Sequence, residues 1–178
     1  VLLMPSAAFI EAPDRWLRLL ATRHATHTAA PNFALDHAIR HGAAQLDDDV
    51  SLASVRTVLT AGECVRRDTV EQFHATFAPW GLRRDVLSVH YGSTEMCGVT
   101  CSRLEAPVEF ISLDRASLRR GCAEFREPGA EGARDVPSCG APRGHVRLEV
   151  RDAQGHDLGE DRVGELHVLS GSASSGYW

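Results

Sequence analysis

Two short runs carry residue types that can do chemistry together. Residues 60–63 read "TAGE" and residues 91–95 read "YGSTE". Each follows an apolar run that reads as a buried strand, "VRTVL" and "DVLSV", and each places small residues before a carboxylate. Ala61, Gly62 and Gly92 lack bulk, so a flat ring can lie against their backbone. Tyr91 offers an aromatic face. Ser93 and Thr94 bring hydroxyls, and Thr94 can donate a hydrogen bond to a phosphate oxygen. Glu95 is a hard oxygen ligand suited to Mg²⁺, which bridges protein carboxylates and substrate phosphates. That chemistry is the binding of a nucleotide together with its metal.

The same residues also admit plainer roles. Strand-end glycines are common turn formers, and a tyrosine at a sheet edge often only packs. Glu63 can cap the helix that follows it. Asn32 and Phe33, just after Pro31, can simply start a helix. His90 fits a core histidine as well as a ligand.

The elements needed to position these groups can be read from the pattern. Val55 to Thr60 forms one buried strand and Val86 to Tyr91 another. Between them "DTVEQFHATFAPWG" carries Val70, Phe73 and Phe77 at i, i+3 and i+7, with Asp68 and Glu71 at capping-box spacing. Strand, helix, strand over residues 53–92 is the βαβ pattern of a parallel sheet. In such a sheet the carboxyl ends share one edge, where ligands of open α/β folds bind, so adjacent strands would bring both runs to one cleft. Upstream, "PDRWLRLLATRH" places Trp16, Leu19 and Leu20 at helical spacing, with Pro13 near its first turn. "ATHTAAP" is a short strand, and "NFALDHAIRHG" a helix that Gly42 should stop. "VLLMP" reads as the middle of a strand.

After residue 100 the character changes. "EFISL" and "CAEFRE" are β-like and "RASLRR" is a short helix, followed by the loop "EPGAEGARDVPSCGAPRG". Two alternating segments around a polar turn, "HVRLEV" and "GELHVLSG", predict an antiparallel hairpin. The expected fold class is α/β: a parallel-sheet α/β lobe over residues 1–100, a connecting or insertion segment over 101–140, and a smaller β-rich lobe over 141–178.

Composition narrows the partners. With 43% apolar and 24% charged residues, the chain can bury one good core. No apolar run reaches the roughly 20 residues that span a bilayer. A formal charge of -5 argues against nucleic acid, whose phosphates select basic surfaces. Five scattered cysteines suit a reducing cytoplasm better than a disulfide framework, and they lack the paired spacing of a zinc site. All 19 basic residues are arginine, so there is no phosphate-loop or Schiff-base lysine. Both ends look cut, as in a piece of a larger protein.

Several segments resemble the adenylate-forming superfamily of acyl- and aminoacyl-activating enzymes. "YGSTE" looks like its adenine and magnesium motif, and "GELHVLSGSASSGYW" like its later "GEL…G…GYW" segment. "APNFALDHAIR", "TAGECVRRDTVEQFHATFAPWGLRRD" and "VPSCGAPRG" resemble, in order, landmarks of the fatty-acyl-AMP ligases. The resemblance covers nearly the whole chain and implies a partial domain of such an enzyme. It implies that a fatty acid attacks ATP to give acyl-AMP, and that the acyl group then passes to the phosphopantetheine thiol of a carrier protein. On this sequence it implies that Ala61, Gly62, Glu63 and Tyr91, with Gly92 and Ser93, hold the nucleotide. Thr94 would touch the phosphate and Glu95 would bind Mg²⁺. Asn32 and Phe33, with His90, would line the substrate pocket. The expected partners are a fatty acid and a holo acyl carrier protein or polyketide synthase carrier domain.

Two departures stand out. Thr94 occupies a position where fatty-acyl-AMP ligases commonly have alanine, which keeps acyl-CoA ligases and peptide-synthetase adenylation domains as alternatives. The superfamily's glycine-rich phosphate loop, ribose-binding aspartate and catalytic lysine are absent, so the fragment alone should not turn over. A binding module of the same fold without catalysis is the alternative of another class. Residues 101–135 fall where the subfamily carries an insertion linked to its disfavouring of coenzyme A.

Overall fold

A computed structural model describes all 178 residues. The chain forms two compact units, residues 1–89 with 103–108 and residues 90–102 with 109–178. The crossing falls at Val89/His90, earlier than the expected boundary near residue 100, and residues 103–108 return to the first unit.

The first unit is α/β. Helices α1 (Ser6–Glu11) and α2 (Asp14–Thr22) lead into β1 (His27–Ala29) and α3 (Asn32–His37). β2 (Thr57–Thr60), α4 (Arg67–Phe77) and the start of β3 (Leu87–Ser93) complete the unit. β1 pairs with β2 and β2 with β3, both in parallel, with Thr60 opposite Val89. The expected βαβ unit is therefore present, and its two strands are neighbours. The apolar stripe of α4 contributes to the core, in which Phe73, Phe77, Leu17, Leu35, Val58 and Leu87 are all fully buried. The rings of Phe73 and Phe77 sit 4.9 Å apart between centroids, within the range where aromatic pairs attract.

Four local expectations change. Residues 1–5 form no strand, and helix α1 follows at once. Gly42 does not stop its helix: α3 runs into a π-turn (Ala38–Gly42) and then a 3₁₀ turn (Ala43–Gln45). Asp68 is not a cap, because α4 already starts at Arg67 and its N-cap is Arg66, with no side-chain cap bond there. A carboxylate inside the first turn still complements the helix dipole. "CAEFRE" contributes only isolated bridges, Leu113 to Phe125 and Cys122 to Arg162, rather than a strand.

The second unit is β-rich. The end of β3 turns back on β4 (Cys97–Cys101) as an antiparallel hairpin, and β4 pairs with β7 (Ala141–Pro142). β5 (Phe110–Asp114) pairs with β6 (Ala133–Pro137), and α5 (Arg115–Arg119) lies between them in sequence. Asp114 caps α5 by accepting from Ser117 N–H at 2.7 Å, and Arg126 anchors the same carboxylate at 2.8 Å. β8 (Arg147–Arg151) and β9 (Glu165–Leu169) form the expected antiparallel hairpin. No helix is long and apolar enough to cross a membrane.

Candidate nucleotide and acyl site

In the first unit, β2 ends at Thr60, whose hydroxyl is buried without a hydrogen-bond partner. Ala61 follows, then Gly62 at φ +85°, a left-handed conformation that costs most side chains about 1–2 kcal/mol. This turn aims Glu63 at α3 rather than at the helix that follows it. Glu63 Oε1 accepts from the backbone N–H of Phe33 at 2.7 Å. Asn32, 6% exposed, reaches the other way: its Oδ1 accepts from Arg66 N–H at 3.0 Å and its Nδ2 donates to Thr69 Oγ1 at 3.4 Å. The Asn32 amide is therefore occupied with the start of α4. The ring of Phe33 is 54% exposed and faces an apolar groove of about 760 Å³ that Phe9, Trp16, Leu20 and Ala30 also line.

In the second unit, "YGSTE" is not a turn after a strand, as expected, but strand end and hairpin tip in one. Tyr91, Gly92 and Ser93 lie within β3; Gly92 pairs with Gly98, and a register shift falls between Tyr91 and Gly92. A side chain at Gly92 would collide with the Cys97 carbonyl, so the tight hairpin itself requires glycine there. The bulge lifts Tyr91, Ser93 and Thr94 to exposed positions, as bulges beside functional sites do.

Glu95 closes the tip. Its carboxylate accepts from the Tyr177 hydroxyl, and its carbonyl accepts from Ser174 N–H at 2.8 Å. Ser172 Oγ donates to the Met96 carbonyl at 3.3 Å. Residues 172–177 thus strap the tip. Hydrogen bonds from Tyr177, then Ser93, then its own backbone N–H hold the Glu95 carboxyl down at about 2, so it is ionised at any physiological pH. The residue types around Tyr177 assign it no role; the "GYW" run is the signal that marks it. His90 sits at the base of the hairpin, with Nε2 3.1 Å from the Cys101 thiol. Burial, and then the Arg143 charge, lower its pKa, which favours the neutral ring.

The donor set fits Mg²⁺ in one specific way. No group of three His, Cys, Asp or Glu side chains converges on this chain, and Glu95 is the carboxylate that the hairpin tip offers. Mg²⁺ is commonly bound by one or two carboxylates, with substrate phosphates and water completing its shell. Glu95 is ionised, only partly buried, and oriented through its contact with Tyr177.

These features are those of an adenylate-binding fold, and the chain belongs to the AMP-binding enzyme family, whose pattern matches residues 1–178. Among particular relatives, it is 33% identical over 98% of its length to a medium-chain-fatty-acid–[acyl-carrier-protein] ligase of Moorena producens, covering 30% of that protein. It is 34% identical over 99% of its length to a 4-hydroxyphenylalkanoate adenylyltransferase of Mycobacterium tuberculosis, covering 28% of it. A fatty acyl-adenylate ligase from L. pneumophila, solved with acyl adenylate and pyrophosphate, superposes with a TM-score of 0.87 at 25% identity. That match covers 96% of this chain and 30% of the other. The chain thus spans about 30% of the length of such relatives.

Proposed function

We propose that the intact protein carrying this chain is an ATP-dependent ligase that converts a fatty acid to acyl-AMP and loads the acyl group on a holo acyl carrier protein or polyketide synthase carrier domain. In the first step a carboxylate oxygen bonds to the α-phosphorus of ATP, and the bond from that phosphorus to the bridging oxygen breaks. Pyrophosphate leaves with the electron pair. In the second step the carrier's phosphopantetheine sulfur bonds to the acyl carbon, AMP leaves, and the thiol proton passes to solvent.

The observation that carries this reading is Glu95, held ionised at the tip of the bulged hairpin. In the first unit Ala61 and Gly62, with Glu63 next in sequence, are the nucleotide-facing residues of this reading; in the second unit they are Tyr91, Gly92 and Ser93, and Thr94 donates to a phosphate oxygen. Glu95 would hold Mg²⁺, which when bound supplies positive charge to the triphosphate. Fixed donors and charge aimed at a crowded anionic transition state supply most of the rate enhancement in many enzymes. Phe33 gives the acyl chain an apolar wall, with Asn32 behind it holding α3 in place. A neutral His90 can hydrogen-bond a carboxylate without pairing with it as a cation. The relatives support the substrate class: one is named for fatty acids and a carrier protein, one for an aryl-tailed acid, and one binds acyl adenylate and pyrophosphate. The five scattered cysteines favour a reducing cytoplasm.

The test is the intact protein with ATP, Mg²⁺ and a long-chain fatty acid, followed for pyrophosphate release and for acylation of a holo carrier protein against coenzyme A. Release of pyrophosphate with acyl carrier as the main product supports the reading. A preference for coenzyme A or for an amino acid substrate replaces it with the acyl-CoA ligase or peptide-synthetase reading, which Thr94 favours. Nucleotide binding without pyrophosphate release indicates a binding module that has kept the fold.

A further inference from the structure

Two helix starts in the first unit exchange their caps. The first N–H groups of any helix lack intrahelical acceptors. At α3, the Pro31 carbonyl takes the N–H groups of Ala34 and Leu35 at 2.9 and 3.2 Å. The Phe33 N–H is taken instead by Glu63 Oε1, thirty positions later, at 2.7 Å. A carboxylate at this place also meets the positive end of the helix dipole. In return, Asn32 Oδ1 accepts from Arg66 N–H at the N-cap of α4. The turn after β2 and the start of α3 therefore cannot shift independently without breaking a hydrogen bond to a charged acceptor.

We propose, resting on the nucleotide and acyl assignments above, that Glu63 is a positioning residue that couples the nucleotide turn to the acyl-lining helix. Its side chain is committed to the Phe33 N–H, which on this reading leaves the backbone around Ala61 and Gly62 to face the nucleotide. A nucleotide that fixes the turn at 61–63 fixes Glu63, and through it the backbone of Phe33, whose ring forms the acyl wall. Nucleotide and fatty acid should then bind with positive cooperativity, since the existing hydrogen bond passes any restriction of one segment to the other, and the second ligand meets a segment already held.

The experiment measures binding in the intact protein, without turnover. Dodecanoate affinity is titrated calorimetrically with and without α,β-methylene-ATP, whose α–β bridge cannot be cleaved by the attacking carboxylate. Wild type should show a coupling factor of about 5 or more, the lower end for linked sites. Glu63→Ala should bring it to about 1, while Glu63→Gln, which keeps an acceptor oxygen for the Phe33 N–H, should retain most of it. Thermal melts of each variant, with both ligands absent, separate a lost coupling from a lost fold. If Glu63→Ala weakens only the nucleotide and leaves the coupling factor unchanged, Glu63 is a direct nucleotide contact and the proposal fails. If wild type binds both ligands with no coupling, the proposal fails while the ligase reading stands. If wild type binds neither, the ligase reading itself is overturned.

Discussion

At the scale of single residues, Glu95 carries the strongest expectation. Its carboxylate is ionised by donors from both sides of the hairpin tip, Tyr177 and Ser93. Glu95→Gln keeps the shape and an acceptor for Tyr177 but removes the charge. In the intact protein this should lower Mg²⁺-dependent pyrophosphate release by about 10²-fold, the scale of losing one charge-stabilising group. An unchanged rate at low Mg²⁺ would take Glu95 out of contact with the metal. Residue types put a ring, two hydroxyls and a carboxylate in one run, and it was the resemblance of that run to an adenine and magnesium motif that gave it an expected role. The partners of the site were not legible. Tyr177 lies far along the chain from Glu95, and Glu63 reaches back thirty positions to Phe33. Neither pairing leaves a local trace in spacing.

At the scale of elements, α4 combines a legible stripe with a hidden cost. Val70, Phe73 and Phe77 sit at helical spacing and are buried. His74 follows Phe73 on the same helix, and its Nδ1 is buried without a partner. Burial, and then the Arg84 charge, lower its pKa from 6.5, while the Arg83 backbone and the Asp85 charge pull weakly the other way. The unfolded chain therefore binds this proton more readily than the folded one. The contribution of His74 to stability is complete above pH 6.5 and is lost as pH falls from there through the lower folded value. Denaturant midpoints of the intact protein should drop between about pH 7 and pH 5, and His74→Leu should flatten that part of the curve. An equal slope in the variant would assign the titration to other groups. Helix starts were less legible than helix faces. A face follows from the 3.6-residue period of one segment. The start of α4 is instead set by the Asn32 side chain, from another helix.

At the scale of the whole molecule, the choice of acyl acceptor is the open property. Acyl-AMP formation is common to carrier-loading and coenzyme A ligases, so the difference lies in which thiol reaches the adenylate. Residues 101–135 run from the last residue of β4 through β5 and α5 into the first residues of β6, held by Asp114, Arg126 and the N–H of Arg115 bonded to the Gly132 carbonyl. Because Asp114 pairs directly with Ala133 across the hairpin, residues 115–132 can be replaced by Asn-Gly, a two-residue turn matched to antiparallel strands. The shortened protein should keep carrier loading and gain acyl-coenzyme A product when both acceptors are supplied. If the product ratio does not change, the segment does not govern the acceptor. The α/β order of the first unit and the β-rich second unit were readable because strands, helix stripe and turns alternate in sequence. The return strand β4, "CGVTC", was not, since its short run resembles a loop and its register depends on two glycines meeting.

The strand β3 is built from two kinds of partnership, and this sets an order of events in time. Its first residues pair in parallel with β2, as Val58 does with Leu87, across a long excursion through α4. Its last residues pair with β4 across a tip that separates His90 from Cys101 by only eleven positions. Short hairpins close in roughly 1–10 μs, whereas parallel pairing must wait for a long loop to close. The hairpin that carries Glu95 should thus be in place before β2 and α4 have settled beside the other half of the strand. Pulse-labelled hydrogen exchange during refolding of the intact protein should show Tyr91 and Thr100 protected earlier than Val58 and Thr60. The tip that carries Glu95 would then be the first part of the second unit that a newly made chain orders.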